Sequence, residues 1–439
     1  MSDSNKPLFS RPVLAAIMLF CTLAIWLLNL TASNSTTLPT PKVEAWSTTS
    51  GIPVVWLKQE AWENSNKVEL RFVFRSVTTN TALIETTLAM LMSDSLPLST
   101  ASINQRLAPL AASANSYYDH ENQVIGLTLN NETDYLLPSL SLITKWLKDP
   151  DFKRRTFDNW QTQRSKSPNA QHVLEDALFF DSAEEQVSKN LMPASLEHIV
   201  DYYQSLKNAV VAIYVVGDLT LEAQQSLQTA LNAISQDFKI AKDPAEKIQH
   251  EPISSTIQQN QGDLWQTRSA IALKPVATIK EWISLQIWGA DLVSTLNKQQ
   301  HIDFVQLALT LSPKNPWAWW SIQYSNNPII APTASNEKMD QLINAKSLVF
   351  TEQVPSVQDE KTFQALLDAF KTQLETQALS PTWWSYIATQ IAHLDGPLTL
   401  EQFANNYQEA VNSFTAEDYQ TALSQLLTPS SYQEIQVYQ

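Results

Sequence analysis

Between Val68 and Met92 the hydrophobic period of the chain changes from two to 3.6. In Val68-Glu-Leu-Arg-Phe-Val-Phe-Arg-Ser-Val77, Leu70, Phe72 and Phe74 alternate with Arg71 and Arg75, as a strand requires. Thr78-Thr-Asn-Thr81 interrupts the pattern. Leu83, Thr87, Leu91 and Ile84, Leu88, Met92 then recur at helical spacing over Ala82–Met92. A strand feeding straight into an amphipathic helix demands a sheet with helices packed on it. Glu85 near the start suits the positive end of that helix. On one helical face, at i, i+3 and i+4, stand Glu85, Leu88 and Ala89. That spacing suits a metal-binding helix, yet only Glu85 of the three could bind metal.

The chain has 439 residues, which predicts two or three domains, and 44% of them are hydrophobic, enough for globular cores. The formal net charge of −15 argues against a nucleic-acid role, because phosphate binding needs a basic face. With six glycines there is no G-x-G-x-x-G and no P-loop. No G-x-S-x-G elbow supports a serine hydrolase. The single cysteine, Cys21, allows no internal disulfide.

Val13 to Leu30 carries no charge and is long enough, at about 1.5 Å per residue, to span a bilayer as a helix. Lys6 and Arg11 precede it, and the next charge is Lys42. The positive-inside rule then places residues 1–12 in the cytoplasm and the folded part outside it, anchored to the inner membrane. A cleaved signal peptide is the alternative reading. Residues 31–43, rich in Ser, Thr and Pro, read as a tether. Strands are predicted at Pro53–Leu57, 68–77, two within Ala114–Leu129, Ala209–Val216, Trp265–Leu273 and Tyr432–Tyr438. Helices are predicted at 82–92, 103–110, 136–146, 157–166, 196–206, 221–234, 281–296, 359–377, 383–393, 400–413 and 416–427. Residues 236–262, polar and charged, read as a linker. The fold class is therefore α+β: two similar halves, 44–235 and 263–439, each a mainly antiparallel sheet with helices packed on it.

This order resembles the insulinase/pitrilysin-type metallopeptidases, in their bacterial and mitochondrial-processing-peptidase-like branch. Gly51-Ile-Pro-Val-Val-Trp-Leu57 stands in place of the family's opening strand. The strand at 68–77, the helix at 82–92 and the stretch 103–129 follow in the family's order. The segment LEHIVDYYQSLKNAVVAIYVVGDLTLEAQQSL (196–227), with its Val-Val-Gly-Asp, is the most specific match. The family's zinc helix carries H-x-x-E-H, in which two His bind zinc and the Glu activates the bound water. The resemblance places the first His at Glu85, the Glu at Leu88 and the second His at Ala89. The downstream Glu ligand falls near Ser165 or Ser167. An Arg and a Tyr that hold substrate backbone in the family fall at Ile302 and Leu309. The resemblance thus implies a retained fold that neither binds the family zinc nor keeps its substrate clamp.

Three further groups stand out. Asp119-His120-Glu121 reads as a surface turn, because successive residues on a strand face opposite ways. Glu197, His198, Glu184 and Glu185 read as solvated surface, and His172 with Glu175 supply too few metal ligands. Trp317, Trp319, Trp320, Trp383 and Trp384 are read either as core or as a contact surface for a partner, a peptide or the bilayer. By resemblance, the expected function is that of a membrane-anchored, non-catalytic peptidase homologue. It would act as partner or substrate-binding subunit of an active zinc peptidase, in a hetero-oligomer that takes unfolded peptide. The alternatives are a divergent active zinc metallopeptidase using other ligands, and a stand-alone peptide-binding or assembly factor.

Overall fold

The computed structural model describes residues 38–438 apart from 63–64, 165–169, 180–194, 243–253, 259–263, 301, 326–359 and 392–395. The expected anchor at 13–30 lies outside the described residues. Among those described, no helix is long and apolar enough to cross a membrane.

The first half forms a six-stranded sheet from β1 (Lys42–Ser47), β2 (Pro53–Lys58), β3 (Val68–Arg75), β4 (Ser113–Tyr118), β5 (Asn122–Leu129) and β6 (Val210–Val216). Its spatial order is β1-β2-β6-β3-β5-β4. The β2–β6 pair is parallel and every other pair antiparallel. The helices are α1 (Thr81–Met92), α2 (Ile103–Leu107), α3 (Thr133–Lys148), α4 (Arg154–Arg164), α5 (Ala170–Phe179), α6 (Leu196–Lys207) and α7 (Leu221–Ile234). Ile84, Leu88 and Leu91 of α1 share a core with Leu70, Phe72 and Phe74 of β3 and with Ile199 and Tyr203 of α6. The alternation at 68–77 thus forms the predicted strand. Its polar side is not in water, however, since every residue of β3 is buried.

Gly217 closes β6. It sits at φ +143°, and a Cβ there would lie 2.9 Å from the carbonyl oxygen of Lys67 at the entry to β3. Close backbone approach therefore explains the glycine of Val-Val-Gly-Asp.

The second sheet consists of β7 (Ser254–Gln258), β8 (Leu264–Ala272), β9 (Ile302–Thr310), β10 (Trp317–Tyr324) and β11 (Gln433–Tyr438), in the order β7-β11-β8-β10-β9. Its helices are α8 (Ile279–Asn297), α9 (Glu360–Gln377), α10 (Pro381–Gln390), α11 (Leu400–Asn412) and α12 (Ala416–Leu426). β7–β11 is parallel and the rest antiparallel. Leaving β1 aside, both sheets have the same order with the parallel pair in the same place. The repeat expected from the element order is therefore a repeat of topology. β7 lies inside the stretch read as a linker, and β1 starts inside the stretch read as a tether.

The halves exchange helices. α5, from the first half, packs on β8 and β11, and α10, from the second, packs on the equivalent β3 and β6. Val73, Val124, Tyr214 and Val216 of the first sheet consequently share one core with Trp384, Ile387 and Ala388 of α10.

Candidate functional site

The helix on which the resemblance places the zinc motif is α1. Asn80 caps it, its side chain accepting from the Leu83 amide (3.0 Å). The cap makes Thr81 the first helical residue, so Glu85 falls in the second turn and not at the positive end. Thr86 and Thr87 turn their hydroxyls back to the carbonyls of Ala82 and Leu83. From outside, Trp160 of α4 donates to Thr86 Oγ1 (3.0 Å). Trp146 of α3 donates to the Leu91 carbonyl (3.0 Å) and to Ser95 Oγ (2.9 Å). Tryptophan indoles thus hold the helix at its middle and at its C-terminal end. Glu85 and Ala89 are half-buried, and Leu88, at 3% exposure, is part of the core.

A zinc ion does not fit this donor set. Leu88 offers a buried isobutyl group where a base would stand, and Ala89 offers a methyl. Ser165 and Ser167, at the downstream-ligand position, lie outside the described residues. Among the described residues no cluster of three His, Cys, Asp or Glu is placed to hold a metal.

The clamp positions lie on β9. Ile302 is buried and Leu309 half-buried. Leu309 lines a cavity of about 540 Å³ between α8, α9 and β9, whose other walls include Gln286, Phe370 and Tyr386. None of its lining residues is charged.

Asp119-His120-Glu121 does form a turn, with Asp119 Oδ1 accepting from the amides of Glu121 (2.8 Å) and Asn122 (2.7 Å). The expectation that it lies on the surface fails: Asp119 and Glu121 are buried. The β4–β5 tip is inserted into the second half, where Glu121 Oε1 accepts from the amides of Lys314 (2.8 Å) and Asn315 (2.5 Å). Arg75 stands 3.9 Å from Glu121 Oε2 and donates to Asn122 Oδ1 at 3.1 Å. Glu175 of α5 is buried as well, 3.5 Å from His120 Nε2. Phe179 packs edge-on to both His120 and Trp317. Burial first, and the charge of Glu121 second, push the Asp119 carboxyl up to about 8. Glu197 and His198 are exposed, as expected, and Glu184 and Glu185 lie outside the described residues.

A second polar cluster lies under α10, and the sequence did not single it out. Glu69 and Arg71 form an ion pair of 2.7 Å, both buried. Arg71 Nη1 donates to the carbonyls of Leu70 and Leu127. Glu69 accepts from the hydroxyls of Thr128 (2.9 Å) and Thr382 (2.7 Å). The Tyr117 hydroxyl donates to Thr389 Oγ1 at 2.7 Å, and burial raises its pKa. The available signal was a pair of opposite charges two residues apart on one strand face, which local sequence does not distinguish from a solvated pair.

The tryptophans do not form one surface. Trp317, Trp320 and Trp384 are fully buried, and Trp319 and Trp383 are half-buried. Trp317 packs with Leu174 and Phe179, Trp320 against Trp288 on the opposite face of the sheet, and Trp383 and Trp384 against Phe403 and Tyr407. The contact-surface reading gives way to core packing, because strand alternation sends Trp317 and Trp320 to opposite faces.

No family model and no curated protein matches the sequence. The fold is shared with solved structures. A protease from Helicobacter pylori superposes with a TM-score of 0.64 over 91% of this chain and 100% of its own, at 11% identity. The peptidase M16 inactive domain from Pseudomonas fluorescens gives 0.64 over 90% of this chain and 97% of its own, at 15% identity. The periplasmic protease PqqL from Escherichia coli gives 0.63 at 14% identity, and there this chain spans 46% of the longer protein. The chain therefore has the insulinase/pitrilysin-type fold of the M16 peptidases.

Proposed function

We propose that this chain is a non-catalytic homologue of the M16 peptidases, acting as a partner or substrate-binding subunit of an active zinc peptidase. The observation that carries this is Leu88: where the family has its general base, this chain places a core residue at 3% exposure. Ala89 beside it supports the same reading. Uncharged residues at the clamp positions Ile302 and Leu309 agree with it. We place the folded part on the outer side of the inner membrane, tied to it by residues 13–30. Zinc analysis and a peptidase assay on the purified full-length chain test the first part. One bound zinc together with peptide cleavage would sink it in favour of a divergent enzyme. Affinity capture tests the second part, and a co-purifying chain with an intact H-x-x-E-H is the expected result. Purification alone, with peptide bound but no such chain, would favour a stand-alone binding factor.

A further inference from the structure

Leu96-Pro97-Leu98-Ser99 forms a tight turn closed by the Ser99 amide on the Leu96 carbonyl (3.3 Å). Proline at the second position fixes a negative φ there, and Leu98 follows at φ +58°. This is the pattern of a type II turn, whose third position is ordinarily glycine or asparagine. Here it holds a leucine at 104% exposure, projecting wholly into solvent. Folding supplies no reason for that residue: glycine would relieve the backbone and remove an exposed apolar side chain. Strain of this kind belongs with function.

Leu98 stands on the rim of a surface groove of about 700 Å³. Leu96, Leu110, Pro138 and Leu142 are among its apolar lining, and Arg106, Lys145 and Lys148 line it too, against the single acid Asp149. Lys148 bonds the Gln236 amide oxygen and Arg106 the Ser99 hydroxyl, so neither is neutralised by these contacts. In a chain of net charge −15 this is a locally positive patch.

We propose that this groove docks an acidic amphipathic helix of a partner protein, with Leu98 as the projecting anchor. The apolar stripe of such a helix would lie against the apolar lining and its carboxylates would face Arg106, Lys145 and Lys148. A second copy of this chain is a poorer occupant. A two-fold contact would seat Leu98 of each copy in the groove of the other, but it would also oppose the two basic rims. The site lies apart from the zinc-helix positions, so its failure would leave the reading of Leu88 intact.

The test uses the full-length chain in phosphatidylcholine nanodiscs. Its probe is a fluorescein-labelled helical peptide with leucine at i, i+3, i+4 and i+7 and glutamate elsewhere. The expected result is binding that weakens about tenfold or more when lysine replaces the glutamates, and likewise in Leu98→Gly. The same Leu98→Gly variant is expected to raise Tm by about 1–2 °C, so lost binding cannot be lost folding. Arg106→Gln with Lys145→Gln should weaken binding and flatten its salt dependence. The proposal is overturned by no binding of the acidic peptide, or by equal binding of the acidic and basic peptides. Unchanged binding by Leu98→Gly would overturn it too. Phosphatidylglycerol nanodiscs engaging the groove in place of the peptide, or Leu98-dependent self-association in sedimentation, would overturn it in favour of a membrane or of a second copy.

Discussion

Thr382, in the first turn of a second-half helix, donates its hydroxyl to Glu69 in the middle of the first-half sheet at 2.7 Å. The pair crosses the join between the halves and completes the solvation of a buried carboxylate already paired with Arg71. Glu69→Ala leaves the Arg71 charge buried without its partner and is expected to cost about 3–5 kcal/mol, read as a lowered urea midpoint. Thr382→Val removes one hydroxyl and should cost about 1–3 kcal/mol, as befits a bond to a charged group. A Glu69→Leu, Arg71→Met double variant should recover most of the first loss. A double as unstable as Glu69→Ala would show that the pair is not the source of the effect.

Converting the helix back tests the reading of Leu88. The triple variant Glu85→His, Leu88→Glu, Ala89→His is expected to show little or no zinc-dependent peptide cleavage. Leu88→Glu alone should destabilise by about 3 kcal/mol or more, because it buries a carboxyl in an apolar core. Calorimetric titration with zinc and a fluorogenic peptide assay measure the first outcome, chemical denaturation the second. Robust zinc-dependent turnover by the triple variant would contradict the assignment.

Stability should depend on pH through Asp119. Its folded carboxyl titrates at about 8, while in the unfolded chain it titrates near the usual 3.8. Below pH 4 both states carry the proton, and the group's contribution is fully present. Between about pH 4 and 8 the unfolded state loses the proton and the folded state keeps it, so stability falls as pH rises through that window. Asp119→Asn keeps the Oδ1 acceptor for the Glu121 and Asn122 amides and has no proton to lose. It should therefore flatten this part of the Tm-against-pH curve and be the more stable form at pH 8. A wild-type curve that rises steadily from pH 5 to 8, with Asp119→Asn parallel to it, would refute this.

Gly217→Ala should destabilise by about 2 kcal/mol or more, since φ +143° and the 2.9 Å approach to the Lys67 carbonyl leave no room for a methyl group. Gly51→Ala is the control: its φ is +86°, but nothing lies within 4 Å of the added Cβ, so it should cost only the backbone strain. Equal losses in the two variants would remove the steric part of the explanation.

Local pattern made much of the fold legible. The helix at Leu221–Ile234 matches its prediction residue for residue, because Thr220 caps it and the apolar period is clean. The strands Ile302–Thr310 and Trp317–Tyr324 were not predicted. In Trp317–Tyr324 buried residues fall on both faces, so the segment shows no apolar-polar alternation. Ser254–Gln258 is a short polar edge strand whose pairing partner lies at the far end of the chain, and no local period marks it. In α1, the residue types at 85, 88 and 89 were legible from sequence; the enclosure of Leu88 needed the packing of β3 and α6 around it.

By itself, the sequence determined the local elements that carry a clean hydrophobic period, and the residue types at 85, 88 and 89, because hydrophobic period, caps and side-chain identity act within a few residues. Only the tertiary structure decided that Asp119, Glu121, Glu69 and Arg71 are buried. Each is charged and reads locally as solvated. Each loses its water only when the two halves exchange α5 and α10 and seal the polar faces of their sheets, bringing Thr382, Lys314 and Asn315 from hundreds of residues away to replace that water.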